Sequence, residues 1–583
     1  MGCDEMNEQN VSNYELAKQE ADLVDQKIIE TLQSGESFLV EAGAGSGKTY
    51  SLMKAIEWIQ ANKYIDYQRK RQNVICITYT NVAVNVIETR LKEKSFILPS
   101  TIHSFAWSAI KQYQSTLLQY IIDNPDMCPK EGDIAQVKQV QYSLGHRYIE
   151  KDVLFLHHSD VIRLFEFFLD NVKFRKIFSD KYPLILIDEY QDSFKSITDR
   201  FISYFIDAKQ GPQFGFFGDA WQTIYQMNKP CGAIDNDKLV VIKKGSNFRS
   251  AKNIVNVLNK IRPSLPQISA IDNFDGEVFV VNCNDYKGIR RSDRGFKGEL
   301  PTEELNERLN RIRCIVRKIC GEEQERIKSM MITHKILSRQ QGYEELLDII
   351  GDRLKDAEDI ILLFFMNTVE PIYNALCESN MELLFNTLGI NRFPINSKSE
   401  KTKWNLLKKD LDCKRKETAI EVLATIINSG IIPIPPNIEK YYSQYQQSED
   451  STYENGTIKQ YLSLPYSQFL SAIAFLFPNA DFSTEHGVKG EEYDNVIFTL
   501  SKGWNNYQFD VYMPMNNDNI PSEKRDAYER NRNLFYVCCS RAKKRLVMFI
   551  TYEFDDSFKS YLVDLVGPDN YYEYDEFIAK YDR

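Results

Sequence analysis

The 583-residue sequence contains no uninterrupted apolar run of about 18 residues, so no segment is expected to span a membrane. Its start, MGCDEMNEQN, carries neither a basic segment nor an apolar one and is not expected to act as a secretory leader. Gly2 and Cys3 hint at lipidation, but Met6 stands where the myristoylation pattern asks for Ser or Thr. The 11 cysteines include no CxxC pair. The adjacent Cys538 and Cys539 would point to opposite faces of a strand, or about 100° apart on a helix. Clustered ligands for zinc or an iron–sulfur centre are therefore missing, and buried thiols in a reducing cytoplasmic setting are expected. Cations are outnumbered as well: 72 Lys and Arg against 82 Asp and Glu give a net charge of −10. This does not exclude a nucleic-acid partner, because phosphate contacts depend on where basic groups sit rather than on the total.

The length exceeds what one core supports, so two to four domains are expected. With 43% hydrophobic and 26% charged residues, the composition is that of a globular protein. Short, nearly continuous apolar runs at Ser37–Glu41, Asn73–Thr78, Leu184–Ile187 and Phe214–Phe217 read as strands buried on both faces of a parallel sheet. Helical patterns at Tyr50–Gln60 and Asn81–Lys92 alternate with them, which gives an α/β doubly wound core. Runs at Glu277–Val281, Met330–Thr333, Asn495–Leu500 and Leu546–Ile550 suggest a second such core. Mostly helical patterns fill 108–183 and much of 353–465, the latter broken by the Pro-rich stretch 431–437 and the polar stretch 444–457. The expected organisation is a first core at 1–107 and 184–243 with a helical insertion at 108–183. A second core follows at 244–352 and 466–583, with a helical insertion at 353–465.

After the first strand comes Ala42-Gly43-Ala44-Gly45-Ser46-Gly47-Lys48-Thr49, opening a helix. Glycines let consecutive backbone N–H groups turn inward, and the helix N-terminus adds a positive dipole end, so such a turn cradles phosphates. Lys48 can reach the β- and γ-phosphates and Thr49 can ligate Mg²⁺. The general phosphate-loop pattern wants Gly where Ala42 stands. Further on, a buried strand delivers Asp188 and Glu189 at its C-terminal end, where α/β sheets bind ligands. Asp188 would hold Mg²⁺, and Glu189 would orient or deprotonate an attacking water.

Together with the segments that follow in order, these resemble superfamily 1 helicases of the UvrD/Rep group. The segments are TYTNVAVNVIETR at 78–90, STIHSF at 100–105, DEYQDS at 188–193, GDAWQTIY at 218–225, NFRS at 247–250, TEHGVKGEEYDNV at 484–496 and RNLFYVCCSRA at 532–542. AGAGSGKT, Ala42 included, is that group's own version of the loop. The resemblance implies two RecA-like cores with ATP and Mg²⁺ between them. It implies that Gln26 reads the adenine edge, that Phe248 stacks on the base beside Tyr50, and that Gln222 senses the γ-phosphate. It also implies that Arg249 and Arg541 reach that phosphate from the second core and that Glu492 faces the cleft. Thr80, Asn81, His103, Ser104 and Phe105 in the first core, and Thr484 and His486 in the second, are implied to line a DNA single strand, with Tyr225 as a stacking platform. Met227 departs from the group, which has an aromatic there.

The activity implied is that of an ATP-driven helicase or translocase on single-stranded DNA and single-strand/duplex junctions, moving 3′→5′. An ATP-gated subunit that binds DNA ends and signals to a nuclease is the alternative, and an RNA motor is a third reading. Two basic clusters, Lys287/Arg290/Arg291/Arg294/Lys297 and Lys401 to Lys416, suggest duplex contacts. About 40 residues follow the last motif, too few for a nuclease domain. The compact build is similar to helicases of anti-phage systems such as Gabija, in which a partner protein supplies the nuclease. Repair or recombination is the other pathway the resemblance allows.

Overall fold

The computed structural model describes residues 12–78, 81–91, 96–129, 132–142, 147–224, 229–321, 325–331, 338, 341–355, 359–389, 398–447, 451–476, 482–484, 490–502, 507–515 and 519–582. Two six-stranded, wholly parallel sheets organise it. In the first, β1 (Phe38–Ala42), β2 (Val74–Thr78), β3 (Ile97–Thr101), β4 (Leu184–Asp188), β5 (Gln213–Gly218) and β6 (Val240–Lys244) lie in the order β3-β2-β4-β5-β1-β6. In the second, β7 (Glu277–Asn282), β8 (Ile327–Met331), β9 (Phe482–Thr484), β10 (Tyr493–Leu500), β11 (Ala542–Ile550) and β12 (Tyr571–Glu573) lie in the order β9-β8-β10-β11-β7-β12.

The interior strands are apolar on both sides because both faces are covered. Along β4, Leu184 and Leu186 enter the core on one face while Ile185 and Ile187 enter the core on the other. Along β7, Val278 and Val280 face one core, and Phe279 and Val281 the opposite one. The expected fold class holds: two RecA-like doubly wound cores, each interrupted by a largely helical insertion.

The first insertion is not helical throughout. Gln139–Tyr142, Tyr148–Glu150 and Val153–Leu156 form a small three-stranded sheet within it. The second has its own core, in which Tyr453 and Tyr461 donate hydroxyl hydrogen bonds of 2.5 Å and 2.6 Å to the buried Asp359. Its stretch Ile360–Glu378 is long and apolar enough, by length and composition, to cross a membrane. Phe365, Val369 and Ile372 of that stretch are buried in the insertion's core, and Glu370 midway along it pairs with Arg415 at 2.6 Å.

Parallel strands put all their C-terminal ends on one rim. The phosphate loop leaves β1 there, and Asp188 ends β4 two strand positions away, or about 10 Å at the usual strand spacing.

Candidate nucleotide site at the seam of the two cores

The phosphate loop is set by glycine geometry and clamped from outside. Gly45 (φ 73°) and Gly47 (φ 79°) are left-handed, a conformation other residues adopt only with strain. Gly47 caps the helix Lys48–Lys70. A Cβ added at Gly45 would lie 2.7 Å from the Arg249 Cβ and 2.8 Å from the Asn247 Oδ1, so glycine there also admits the second core's chain. Asn247 Nδ2 and Gln267 Nε2 each donate to the Ala44 carbonyl at 3.0 Å, and the Phe248 N–H donates to the Gly45 carbonyl at 2.9 Å. The Ala44 N–H donates to the hydroxyl of Tyr536 at 3.1 Å. The loop is thus held by groups that precede β7 and β11 of the second sheet.

A cavity of about 320 Å³ opens over this loop. Gly43, Gly45, Ser46, Gly47, Lys48 and Thr49 form its floor, with Glu189 and Gln222 to one side. Phe248, Arg249, Glu492 and Arg541 close it from the second core. Lys48 Nζ stands 3.8 Å from a Glu189 carboxylate oxygen. Glu189 has φ 49°, a left-handed value for a residue with a Cβ, and costs about 1–3 kcal/mol. Gln191 holds it by a 2.6 Å bond to Oε2. Asp188 is buried at the end of β4, and burial together with the neighbouring Glu189 charge pushes its carboxyl up to about 7 against the pull of Lys48.

From the second core, Arg541 is 1% exposed and donates to the Val537 carbonyl (3.0 Å), the Glu491 carbonyl (3.2 Å) and the Gln222 Oε1 (3.1 Å). Burial, and then the Arg249 cation, lower its guanidinium to about 9. Arg249 pairs with Glu492 at 2.9 Å, and Lys543 pairs with the same carboxylate at 2.6 Å. Burial works against the Glu492 charge, but those two cations more than offset it and hold the carboxyl below its ordinary range.

At the cavity's edge, the Gly47 position adjoins Tyr50 and the Phe248 ring. A Cβ there would be 3.8 Å from the Tyr50 Cβ and 3.9 Å from the Phe248 Cδ2. Tyr50 is 59% exposed and Phe248 39%, so both present faces to solvent. Ala42 and Ala44 are buried and are not among the residues that line the cavity; the Ala44 backbone is engaged by Tyr536, Asn247 and Gln267 instead. Gln26 is not brought to this wall. It is exposed on the helix Asn13–Ser34 and donates to Glu30 at 2.8 Å. Its neighbour Asp25 turns inward instead, accepting from the Ser51 hydroxyl and pairing with Lys54 at 2.9 Å.

The oxygen donors at the floor fit a hard cation. The Thr49 side chain is exposed to the cavity, the Ser46 Oγ is buried without a hydrogen-bond partner, and Asp188 accepts from the Glu189 N–H at 3.1 Å. Carboxylate and hydroxyl oxygens are the ligands that Mg²⁺ takes.

Sequence reading missed the residues that lock the seam. Arg262, at the end of the helix Lys252–Ile261, is 1% exposed and donates to Asp219 and Glu41, both at 2.7 Å. Its guanidinium and that of Arg532 lie over the Trp221 ring at 5.3 Å and 3.8 Å. Asn533 donates to the Ala220 (3.3 Å) and Thr223 (3.1 Å) carbonyls, gripping the turn that carries Gln222. Tyr536 and Asn533 lie in the motif at 532–542 and Asp219 in that at 218–225, whereas Arg262 and Gln267 lie in none.

The proposed strand-lining residues separate into three groups. His103 is half-buried against His158 (5.3 Å) and Phe194 (5.5 Å), and Ser104 is exposed beside it. Phe105 corrects its expectation. It is 2% exposed, packed among Phe165, Phe178 and Tyr182, and offers no face to a base. It follows Ser104 on an amphipathic helix, and the 100° step turns it inward. Asn81 opens the helix Asn81–Arg90 and Thr484 closes β9. Their side chains, like residues Thr80, Tyr225, Met227 and His486 as a whole, lie outside the described residues.

Two parallel-sheet cores closing on a glycine-cradled cavity, with lysine from one side and arginines from the other, define a helicase-type P-loop NTPase. Comparison with known proteins agrees. Residues 25–228 match the family described as "AAA domain". The chain is similar to the Gabija protein GajB of Bacillus cereus strain HuB5-5, at 24% identity over 93% of this chain and 96% of that protein. It also matches the Gabija protein GajB of B. cereus strain VD045, at 29% identity over 39% of this chain and 47% of that protein. A match to the ATP-dependent DNA helicase Rep of Buchnera aphidicola subsp. Schizaphis graminum, at 26% identity, covers 38% of this chain and 41% of that protein. The UvrD/Rep-like resemblance expected from the motifs holds, and the similarity to the GajB protein of strain HuB5-5 runs along nearly the whole chain.

Proposed function

We propose that the protein hydrolyses ATP at this cavity and uses it to move along single-stranded DNA, 3′→5′, toward single-strand/duplex junctions. The observation that carries the reading is the joint lining of one cavity by Lys48 of the first core and Arg249 and Arg541 of the second. A group contacted from both sides binds the closed arrangement more tightly than the open one, which is the differential affinity a conformational cycle needs. Loop N–H groups and Lys48 hold the β- and γ-phosphates, and Tyr50 and Phe248 flank the base. Thr49 and Asp188 hold Mg²⁺, which when bound offsets phosphate charge. Glu189, braced by Gln191, orients the attacking water. Gln222 reports phosphate occupancy to Arg541 through their shared hydrogen bond.

His103, Ser104, Asn81 and Thr484, with Thr80, Tyr225 and His486, would contact the strand through the sequence-independent backbone. The domain limits proposed are 1–107 with 184–243, 108–183, 244–352 with 466–583, and 353–465. The whole-length similarity to GajB supports a role in a Gabija-like system; anti-phage defence in the cytoplasm with a nuclease partner is the form of that role we propose, and repair or recombination is the alternative.

The test is DNA-stimulated ATPase and displacement of a strand from a 3′-tailed duplex. Lys48→Ala abolishes both on this reading, and intact ATPase in that variant overturns it. ATPase without displacement by the wild-type chain favours a DNA-end-binding subunit that gates a nuclease. Equal stimulation by matched RNA would argue against DNA as the track.

A further inference from the structure

Between β7 and the helix Thr302–Cys320 the chain makes a long excursion over residues 283–301. It has no regular secondary structure, yet it is built rather than loose. Arg290 donates to the carbonyls of Cys283, Gly298 (3.0 Å) and Thr551 (3.3 Å), pinning both legs of the loop to the end of β11. The legs pair with each other, Arg291 N–H to the Glu299 carbonyl at 2.8 Å and Gly298 N–H to the Arg291 carbonyl at 2.9 Å. Arg291 lies 3.7 Å over the Phe296 ring, and Tyr286 is flanked by Arg290 and Arg308 at 5.5 Å and 5.0 Å. Glu299 is fully buried and accepts from the Leu300 and Lys502 N–H groups.

This bracing sorts the five basic residues of the segment into two sets. Arg290 and Arg291 are consumed by the loop's own structure. Lys287, Arg294 and Lys297 are exposed and make no ion pair among the described residues. The loop's acids are already engaged: Asp293 pairs with Arg291, Asp285 lies 3.9 Å from Arg308, and Glu299 is inside. Ile289, on the same loop as these cations, is 90% exposed, against 71% for Val172, the next most exposed large hydrophobic among the described residues.

Position on the sheet indicates what this loop meets. Because the second sheet is wholly parallel, this loop leaves the same rim as the segment that follows Thr484. In the order β9-β8-β10-β11-β7 the two strand ends are four spacings apart, about 19 Å. That is close to the width of a nucleic-acid duplex. We propose that the 283–301 loop is a contact for the duplex arm of a junction, with Lys287, Arg294 and Lys297 on backbone phosphates and Ile289 against a sugar or base step. Isolated cations around an apolar tip are the means by which proteins grip a duplex and wedge it without reading sequence. The inference rests on the reading above that a single strand passes the end of β9.

The experiment compares the full chain with its K287E/R294E/K297E, K287Q/R294Q/K297Q and I289A variants. Probes are a 3′-tailed duplex, a single-stranded oligonucleotide of the tail sequence and a blunt duplex, with binding followed across a salt series. Both triple variants are expected to bind the tailed and blunt duplexes at least tenfold more weakly. Their log–log salt slope should be shallower by about 2–3, from roughly 0.9 per lost phosphate contact. Single-strand binding and single-strand-stimulated ATPase should match wild type. I289A should weaken tailed-duplex binding severalfold without changing the slope. Wild-type duplex affinity in both triple variants overturns the proposal, as does an equal loss on single strands; either result would leave the loop to a protein partner. If the wild-type chain binds no single strand, the translocation reading fails by itself, and the blunt duplex still decides the loop.

Discussion

Arg541 of the second core donates to the side-chain oxygen of Gln222 in the first across 3.1 Å, and the same Gln222 is held from behind by a 2.8 Å bond to Asp219. One glutamine amide therefore joins an arginine on one lobe to a carboxylate on the other, at the wall of the nucleotide cavity. Arginines supplied across a seam to a transferring phosphoryl group contribute about 10³–10⁵ in rate in related NTPases. Arg541→Ala is expected to lower DNA-stimulated kcat by roughly 10³-fold or more, with KM for ATP moving less than tenfold. Arg541→Lys should not restore it, since one ammonium cannot span Val537, Glu491 and Gln222 together. Steady-state ATPase kinetics check both outcomes.

Arg262 gives a different kind of result. It is a buried cation shared by two carboxylates, and removing it strands both in the seam. Arg262→Met is expected to destabilise the protein by about 3–5 kcal/mol, the usual cost of breaking a buried pair from one side. Adding Asp219→Asn to that variant should recover part of the loss, because one stranded charge is removed. Denaturant unfolding of the single and double variants decides it. Additive losses would show that the two residues act separately.

Tyr50 and Phe248 stand at the cavity's edge with exposed faces. If they flank a base, Phe248→Ala should raise KM for ATP about tenfold, from the ~1–3 kcal/mol of a base–aromatic stack, with kcat little changed. An unchanged KM would place the base elsewhere.

His103 is expected to stay neutral through the physiological range. Burial, and then His158 and His157, lower its imidazole to about 4. The sign follows: an imidazole whose folded pKa lies below its unfolded value of about 6.5 contributes stability above pH 6.5, and that contribution is lost as pH falls from there through about 4. An NMR titration should find the His103 midpoint near 4. A midpoint near 6.5 would contradict the burial argument.

The legible part of the fold follows burial. All eight interior strands of the two sheets appear in the sequence as short apolar runs, because each has both faces covered. The four edge strands, ILPST in β3, VVIKK in β6, FST in β9 and YYE in β12, do not. Each is half open to solvent or very short, and its mixed pattern carries no period of its own. The Met330–Thr333 run begins three residues after the strand itself, since β8 starts at Ile327 with a buried Lys328 that polarity alone would exclude.

The site divides in the same way. Residues held by backbone geometry or placed at strand ends, such as Gly47, Lys48 and Asp188, could be read from local order. Phe105 could not, because the turn of one helix decides whether an aromatic faces a strand or a core. Nor could Arg262 and Gln267, which reach Glu41 of β1 and Ala44 of the phosphate loop from 221 and 223 residues further along the chain.

The most direct measurement compares binding of ADP with binding of a non-hydrolysable ATP analogue, by calorimetry, in wild type and in the R249A/R541A double variant. The wild-type chain should prefer the triphosphate, and the double variant should lose that preference by at least tenfold while keeping its affinity for ADP. If the preference survives removal of both arginines, the γ-phosphate is not clasped from the second core, and the account of the seam is wrong.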